Sequence, residues 1–140
     1  MTAVSSLPLG ITMGDAAGIG PELIVSLIHQ GLPHPVVVYG DAGILRRAAK
    51  VLGLENQITV VDAHTLPANS TPAANTIVVR NRWQALPNDL PFGEISAQAG
   101  RGAYEYLCHA IDDAQAGLIR GIVTAPLHKK AMQAGGIDAP

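Results

Sequence analysis

The fold is decided by residues 7–28, which read LPLGITMGDAAGIGPELIVSLI. Leu7 to Met13 is a short apolar run that ends at Gly14, a pattern typical of a buried strand. Pro21 suits the first position of a helix, where its missing N–H removes no hydrogen bond. Apolar residues then recur at helical spacing until Gly31, which predicts the end of the helix. Leu23, Ile24, Leu27 and Ile28 form one apolar face of this helix.

The same alternation of strand and helix continues along the chain. Short runs rich in β-branched residues predict further strands at 36–39, 58–61, 76–79 and 121–124. Helices are predicted after Asp41, from about Ser96 and at 127–134, with loops at 67–72 and 82–94. Continuous apolar strands that alternate with amphipathic helices are typical of a parallel sheet covered on both faces. We therefore predict an α/β fold with three layers.

Composition and charge argue against several classes of protein. Of the 140 residues, 48% are hydrophobic, but no stretch approaches the roughly 20 uninterrupted apolar residues of a membrane-spanning helix. The net charge of −2 is scattered, and no basic run suggests nucleic-acid binding. The single cysteine, Cys108, and the lack of an export signal favour the cytoplasm. The five histidines have no metal-ligand spacing, so no metal site is predicted within this chain.

The turn after the first strand is the first candidate site, and residues 14–22 read GDAAGIGPE. Glycines at such a turn let backbone N–H groups approach an anion, and the N-terminus of the following helix favours negative charge. The spacing fits neither the dinucleotide fingerprint nor the P-loop. A tight turn whose glycines only allow positive φ is the alternative interpretation.

Two further segments place polar side chains near predicted helix starts and strand ends. Residues 96–100 read SAQAG, and Ser96 could bind an anion or simply cap the helix that follows. Residues 123–131 read VTAPLHKKA, so that Thr124 ends a strand and Lys129 lies in the first turn of the next helix. Ligands of open α/β sheets collect at the carboxyl ends of strands, where a lysine can meet a phosphate. The alternative is that Thr124 caps the turn and Lys129 is solvated.

These three segments together resemble, in order and separation, those of the 4-hydroxythreonine-4-phosphate dehydrogenase family. Residues 14–22 are similar to its signature Gly-Asp-Pro-Ala-Gly-Ile-Gly-Pro-Glu, with Ala16 in place of proline. His128 stands where many members have asparagine. The resemblance implies the three-layer, parallel-sheet architecture of isocitrate and isopropylmalate dehydrogenases. Residues 1–140 would then be the N-terminal part of an incomplete first domain, without the second domain and the C-terminal elements that return to the sheet.

The resemblance also implies an activity. Members are cytoplasmic homodimers that use NAD to oxidise 4-phosphohydroxy-L-threonine in vitamin B6 biosynthesis, and the product loses carbon dioxide. A divalent metal (zinc, magnesium or cobalt) acts as a Lewis acid, and its three histidine ligands would lie beyond Pro140. No catalytic residue is therefore expected in this chain. Thr124 and Lys129 would contact the substrate, and Asp15 and Gly18 the cofactor.

Three alternatives stay open at the level of sequence. A sister group of dehydrogenases acts on threonate or erythronate 4-phosphate. Phosphate acyltransferases share the general architecture, although the 14–22 segment argues against them. The 140 residues, which stop directly after a predicted helix, would by themselves be a non-catalytic fragment.

Overall fold

A computed structural model describes residues 7–63, 74–125 and 129–137 of the chain. The strands are β1 (Leu9–Thr12), β2 (Val36–Tyr39), β3 (Thr59–Asp62), β4 (Thr76–Arg80) and β5 (Ile122–Thr124). The helices are α1 (Gly20–Gln30), α2 (Ala42–Val51), α3 (Ala97–Gln115) and α4 (Lys129–Ala134). Each predicted strand and helix is present, with boundaries within about two residues of the prediction. The predicted loop at 67–72, His64 and His128 lie outside the described residues.

The five strands form one sheet in the order β3-β4-β2-β1-β5, and every neighbouring pair is parallel. Helices α1 and α2 pack against each other on one face of the sheet. Helix α3 packs on the opposite face, where it contacts β1, β2 and β5, and α4 packs against α3. The predicted three-layer α/β architecture is thus confirmed. In the described residues, no helix combines the length and the apolar character needed to cross a membrane.

The core is built on β2, whose four residues are all buried, and on the helix faces that cover it. Helix α1 contributes Ile24, Val25 and Ile28 to this core. Leu23 and Leu27, which belong to the predicted apolar face, are not buried with them, because both are more than 40% exposed. The buried stripe lies on the side of α1 that faces the sheet and α2, and these two leucines lie outside it. The ends of α1 agree with the sequence: Pro21 is in the first turn, and Gly31 caps the last turn with φ of 92°.

A buried carboxylate attaches α3 to the sheet. Asp113 of α3 accepts a hydrogen bond from the Tyr39 hydroxyl at 2.6 Å and forms an ion pair with Arg80 Nε at 2.8 Å. The Arg82 guanidinium lies 3.6 Å from its other oxygen. Burial, together with the hydrogen bond to the carboxylate, raises the pKa of Tyr39 far above its usual value. Tyr39 is therefore a hydroxyl donor at physiological pH.

Candidate functional site

The carboxyl ends of β1 and β5 lie side by side and carry the predicted site segments. Thr12 pairs with Thr124, and the N–H of Ala125 donates to the Thr12 carbonyl at 3.0 Å. After β1 the chain continues to α1 on one face of the sheet, and the helix that follows β5 in sequence, α4, packs against α3, which lies on the other face. Neighbouring strands whose connections leave to opposite faces open a crevice, which is where ligands of open α/β sheets bind. We take this edge as the candidate site.

The loop between β1 and α1 is closed by its own hydrogen bonds. Asp15 is only 4% exposed, and its Oδ1 accepts from the Ala17 N–H at 2.8 Å. The Gly18 N–H donates to the Asp15 carbonyl at 3.0 Å. The N–H groups of Ala17 and Gly18 are therefore used inside the loop, whereas the outer side of Gly18 is exposed. Positive φ occurs in this loop at Gly14, with a value of 73°, and not at Gly18.

Gly20 sets how closely α1 approaches the sheet. A Cβ on this residue would collide with the Met13 carbonyl oxygen and lie 3.1 Å from the Cβ of Ala125. The first turn of α1 is thus packed against the ends of both strands, which a larger side chain would prevent. The sequence pattern identified a glycine-rich turn, but not which glycine makes this contact.

The connection from β4 to α3 is fixed beside the same edge by Asp41. Its Oδ1 accepts from the Ile44 N–H at 2.8 Å, which is the predicted cap of α2. Its Oδ2 accepts from the Leu86 N–H, also at 2.8 Å. Burial and the nearby Asp41 carboxylate raise the pKa of Tyr106 on α3. The capping bond was predictable from local sequence, but the bond to a residue 45 positions away was not.

Helices α3 and α4 meet backbone to backbone near the start of α3. Ser96 caps α3 by accepting from the Ala99 N–H at 3.2 Å, so its predicted structural role is confirmed. A Cβ on Gly100 would collide with the Ala131 carbonyl. A Cβ on Gly135 would lie 2.6 Å from the Ala97 carbonyl oxygen. Close packing of these glycines therefore fixes the position of α4 relative to α3.

The two predicted substrate residues, Thr124 and Lys129, are both exposed. Thr124 is the last residue of β5, and Lys129 is the first residue of α4. Residues 126–128, which join them, lie outside the described residues. Asp15, Gly18 and Thr124 are therefore on segments that meet at one edge of the sheet, and Lys129 begins the next helix.

A model of the family described as pyridoxal phosphate biosynthetic protein PdxA matches residues 32–140. The chain belongs to the PdxA family. The matched region includes the whole of β2 to α4, and hence four of the five strands of the described sheet. Family membership leaves the phosphate acyltransferase alternative without support.

Individual relatives are consistent with membership of the PdxA family. A protein of Oceanobacillus iheyensis, whose name refers to D-threonate 4-phosphate dehydrogenase, is 42% identical over 91% of this chain and 39% of its own length. A 4-hydroxythreonine-4-phosphate dehydrogenase of Beijerinckia indica is 37% identical over 95% of this chain and 39% of its own. The crystal structure of a 4-hydroxythreonine-4-phosphate dehydrogenase from Burkholderia phymatum matches with a TM-score of 0.84 and 37% identity. The match covers 93% of this chain and 39% of the crystal structure's chain.

The PdxA-family chain thus spans about two fifths of the length of these relatives. Among its described residues, no group of three or more His, Cys, Asp or Glu side chains could hold a metal ion. The described residues therefore do not fit the divalent metal that the resemblance implies. They provide instead a loop, a strand end and a helix start at the edge of a parallel sheet.

Proposed function

We propose that the intact protein is an NAD-dependent dehydrogenase that oxidises the secondary alcohol of a four-carbon, 4-phosphorylated hydroxy acid. The first candidate substrate is 4-phosphohydroxy-L-threonine, whose oxidised product decarboxylates. Membership of the PdxA family is the observation that carries this proposal. The geometry supports it, because the predicted site segments converge on the carboxyl edge of β1 and β5. We also propose that the intact enzyme is a cytoplasmic homodimer.

The chain's own residues would bind and orient the two ligands. Asp15 and Gly18 would contact the cofactor, toward which the open side of Gly18 would lie, and Asp15 would also keep the loop in shape by accepting from the Ala17 N–H. The Thr124 hydroxyl and the Lys129 ammonium would contact the substrate, with Lys129 as a charge partner for its phosphate. NAD, when bound, supplies the hydride acceptor. The divalent metal (zinc, magnesium or cobalt) would be held by residues beyond Pro140, and none of these four residues depends on it for its role.

D-threonate 4-phosphate is the second candidate substrate. It is favoured by the name of the Oceanobacillus iheyensis relative, which is 42% identical to this chain. The two acids differ in the substituent next to the carboxylate, an amino group in one and a hydroxyl in the other.

The test is a substrate panel on the intact enzyme, with NADH formation as the readout. We expect NADH from a 4-phosphorylated hydroxy acid and none from its dephosphorylated counterpart, since the phosphate provides the charged contact. NADH formed only from D-threonate 4-phosphate would replace the first candidate with the second. If no member of the panel is oxidised in the presence of NAD and any of the three metals, the proposed function is wrong.

The 140 residues by themselves are expected to be catalytically inactive. The physical reason is that the described residues include no group of three or more His, Cys, Asp or Glu side chains that could hold a metal ion. The resemblance implies that the histidine ligands lie beyond Pro140. The purified 140-residue chain should give no metal-dependent NADH above a heat-denatured sample of the same chain. The intact enzyme, assayed in parallel, is the positive control. Measurable metal-dependent turnover by the short chain would contradict this prediction.

A further inference from the structure

Arg47 on α2 contacts several residues that are distant from it in the sequence. Its Nη1 donates to the carbonyl oxygens of Leu90 at 2.6 Å and Asn88 at 3.1 Å. Its guanidinium carbon lies 3.9 Å above the centre of the Phe92 ring, a cation–π arrangement. A single side chain thus holds three positions of the connection between β4 and α3.

The same side chain reaches the glycine-rich loop after β1. Arg47 Nη2 lies 3.5 Å from the carbonyl oxygen of Ala16, at the long end of hydrogen-bond distances. The connection that Arg47 holds supplies a second, shorter contact, because the Gly93 N–H donates to the Ala17 carbonyl at 2.7 Å. Both contacts fall on the two residues between Asp15 and Gly18. The loop is therefore supported from outside as well as by its internal bonds.

The chemistry of arginine suits this arrangement and that of lysine does not. A planar guanidinium presents several N–H donors in a fixed fork and stacks on an aromatic face at the same time. An ammonium is a compact charge without either property. The adjacent residue, Arg46, is exposed. Within the described part of the chain, its side chain donates one hydrogen bond, to the Val60 carbonyl at 3.2 Å. The two neighbouring arginines thus have different partners, so a substitution of Arg46 is a suitable control for the same substitution of Arg47.

We propose that Arg47 is a positioning residue that holds the 14–20 loop in its ligand-binding shape. It acts through the carbonyl of Ala16 and through the 88–93 segment, and it does not touch the substrate or the cofactor itself. The inference rests on the proposed function in one respect, namely that this loop borders the cofactor. The contacts themselves are independent of which hydroxy acid is oxidised.

The experiment compares Arg47→Met and Arg47→Lys with the control Arg46→Met in the intact enzyme. Amide hydrogen exchange over residues 14–20 is the first readout, since it reports the loop whether or not the enzyme is active. Arg47→Met should speed exchange in this loop, and Arg47→Lys should do so to a smaller extent. Arg46→Met should leave the loop at the wild-type rate. Equal loop exchange in Arg47→Lys and wild type would show that the guanidinium fork is not needed and would overturn the proposal.

Steady-state kinetics provide the second readout. A misplaced loop should raise the KM for NAD by about tenfold in Arg47→Met while kcat and the KM for the phosphorylated acid change little. A merely structural role would instead lower the amount of active enzyme, and hence the apparent kcat, at unchanged KM. That second pattern would overturn the positioning role. If the wild-type enzyme has no NAD-dependent activity but loop exchange still responds to Arg47→Met, the proposed function is wrong. The support of the 14–20 loop by Arg47 would then still hold.

Discussion

At the scale of single residues, two buried tyrosines make stability depend on pH. Tyr39 donates its hydroxyl hydrogen to Asp113, and Tyr106 is buried near Asp41. The pKa of each is raised by burial and by a neighbouring carboxylate. Both hydroxyls therefore stay protonated in the folded state at a pH where the unfolded chain has lost these protons.

The sign of the effect follows from proton linkage. Below about pH 10, the usual pKa of tyrosine, folded and unfolded states bind the same protons at these sites, so their contribution is constant. Above it, each buried tyrosine should lower the free energy of unfolding by about 1.4 kcal/mol per pH unit. Urea unfolding of wild type and Tyr39→Phe at about pH 9 and pH 11 should show a shallower loss in the variant. Equal losses in both proteins would contradict the role of Tyr39.

Single residues were predictable where their partners are close in sequence. Asp41 and Ser96 are recognisable as helix caps because each accepts from an N–H three residues along the chain. In the sequence, by contrast, nothing distinguishes Arg47 from its neighbour Arg46. Its partners at 88–92 lie more than 40 positions away, and no local pattern encodes such a contact. The positions assigned to substrate and cofactor, Thr124, Lys129, Asp15 and Gly18, stay predictions.

At the scale of elements, the contact between α3 and α4 depends on glycine. Gly100→Ala would place a methyl group against the backbone of Ala131, so α4 must move away. We expect a loss of about 1–3 kcal/mol in the free energy of unfolding and faster amide exchange at 129–134. Gly121→Ala is the matched control, because its Cβ would make an ordinary contact with Leu9 Cδ2 at 3.5 Å. If the two variants are equally stable, the close packing of α4 is not required.

The types of the elements could be predicted from sequence, but their arrangement could not. Runs of β-branched residues and helical spacing are local signals, and they located all nine elements found in the described residues. The position of β4 between β3 and β2 depends on long-range pairing, which periodicity does not encode. The exposure of Leu23 and Leu27 on the predicted apolar face has a related cause. Periodicity marked an apolar face on α1 that is wider than the stripe covered by the sheet and α2.

At the scale of the whole molecule, two parts of the described structure are apolar and exposed, namely the outer face of α1 and the strand β5. Three apolar residues recur every four positions, Ile19 directly before α1 and Leu23 and Leu27 within it, with exposures of 64%, 44% and 43%. Strand β5 pairs only with β1 among the described strands, and Val123 within it is 52% exposed. Unpaired strand edges and contiguous apolar patches both promote association.

We therefore expect the purified 140-residue chain to self-associate and to bind a hydrophobic dye. The double substitution Leu23→Lys with Leu27→Glu keeps the net charge at −2. It interrupts the apolar row formed by Ile19, Leu23 and Leu27, so it should reduce both association and dye binding. The matched control is Gln30→Lys with Ser26→Glu, which also preserves the net charge but leaves the apolar row intact. Sedimentation velocity at several concentrations measures association, and thermal unfolding measures cooperativity. A monodisperse wild-type monomer that melts cooperatively would show that these residues fold autonomously, and the expectation of an incomplete domain would then be wrong.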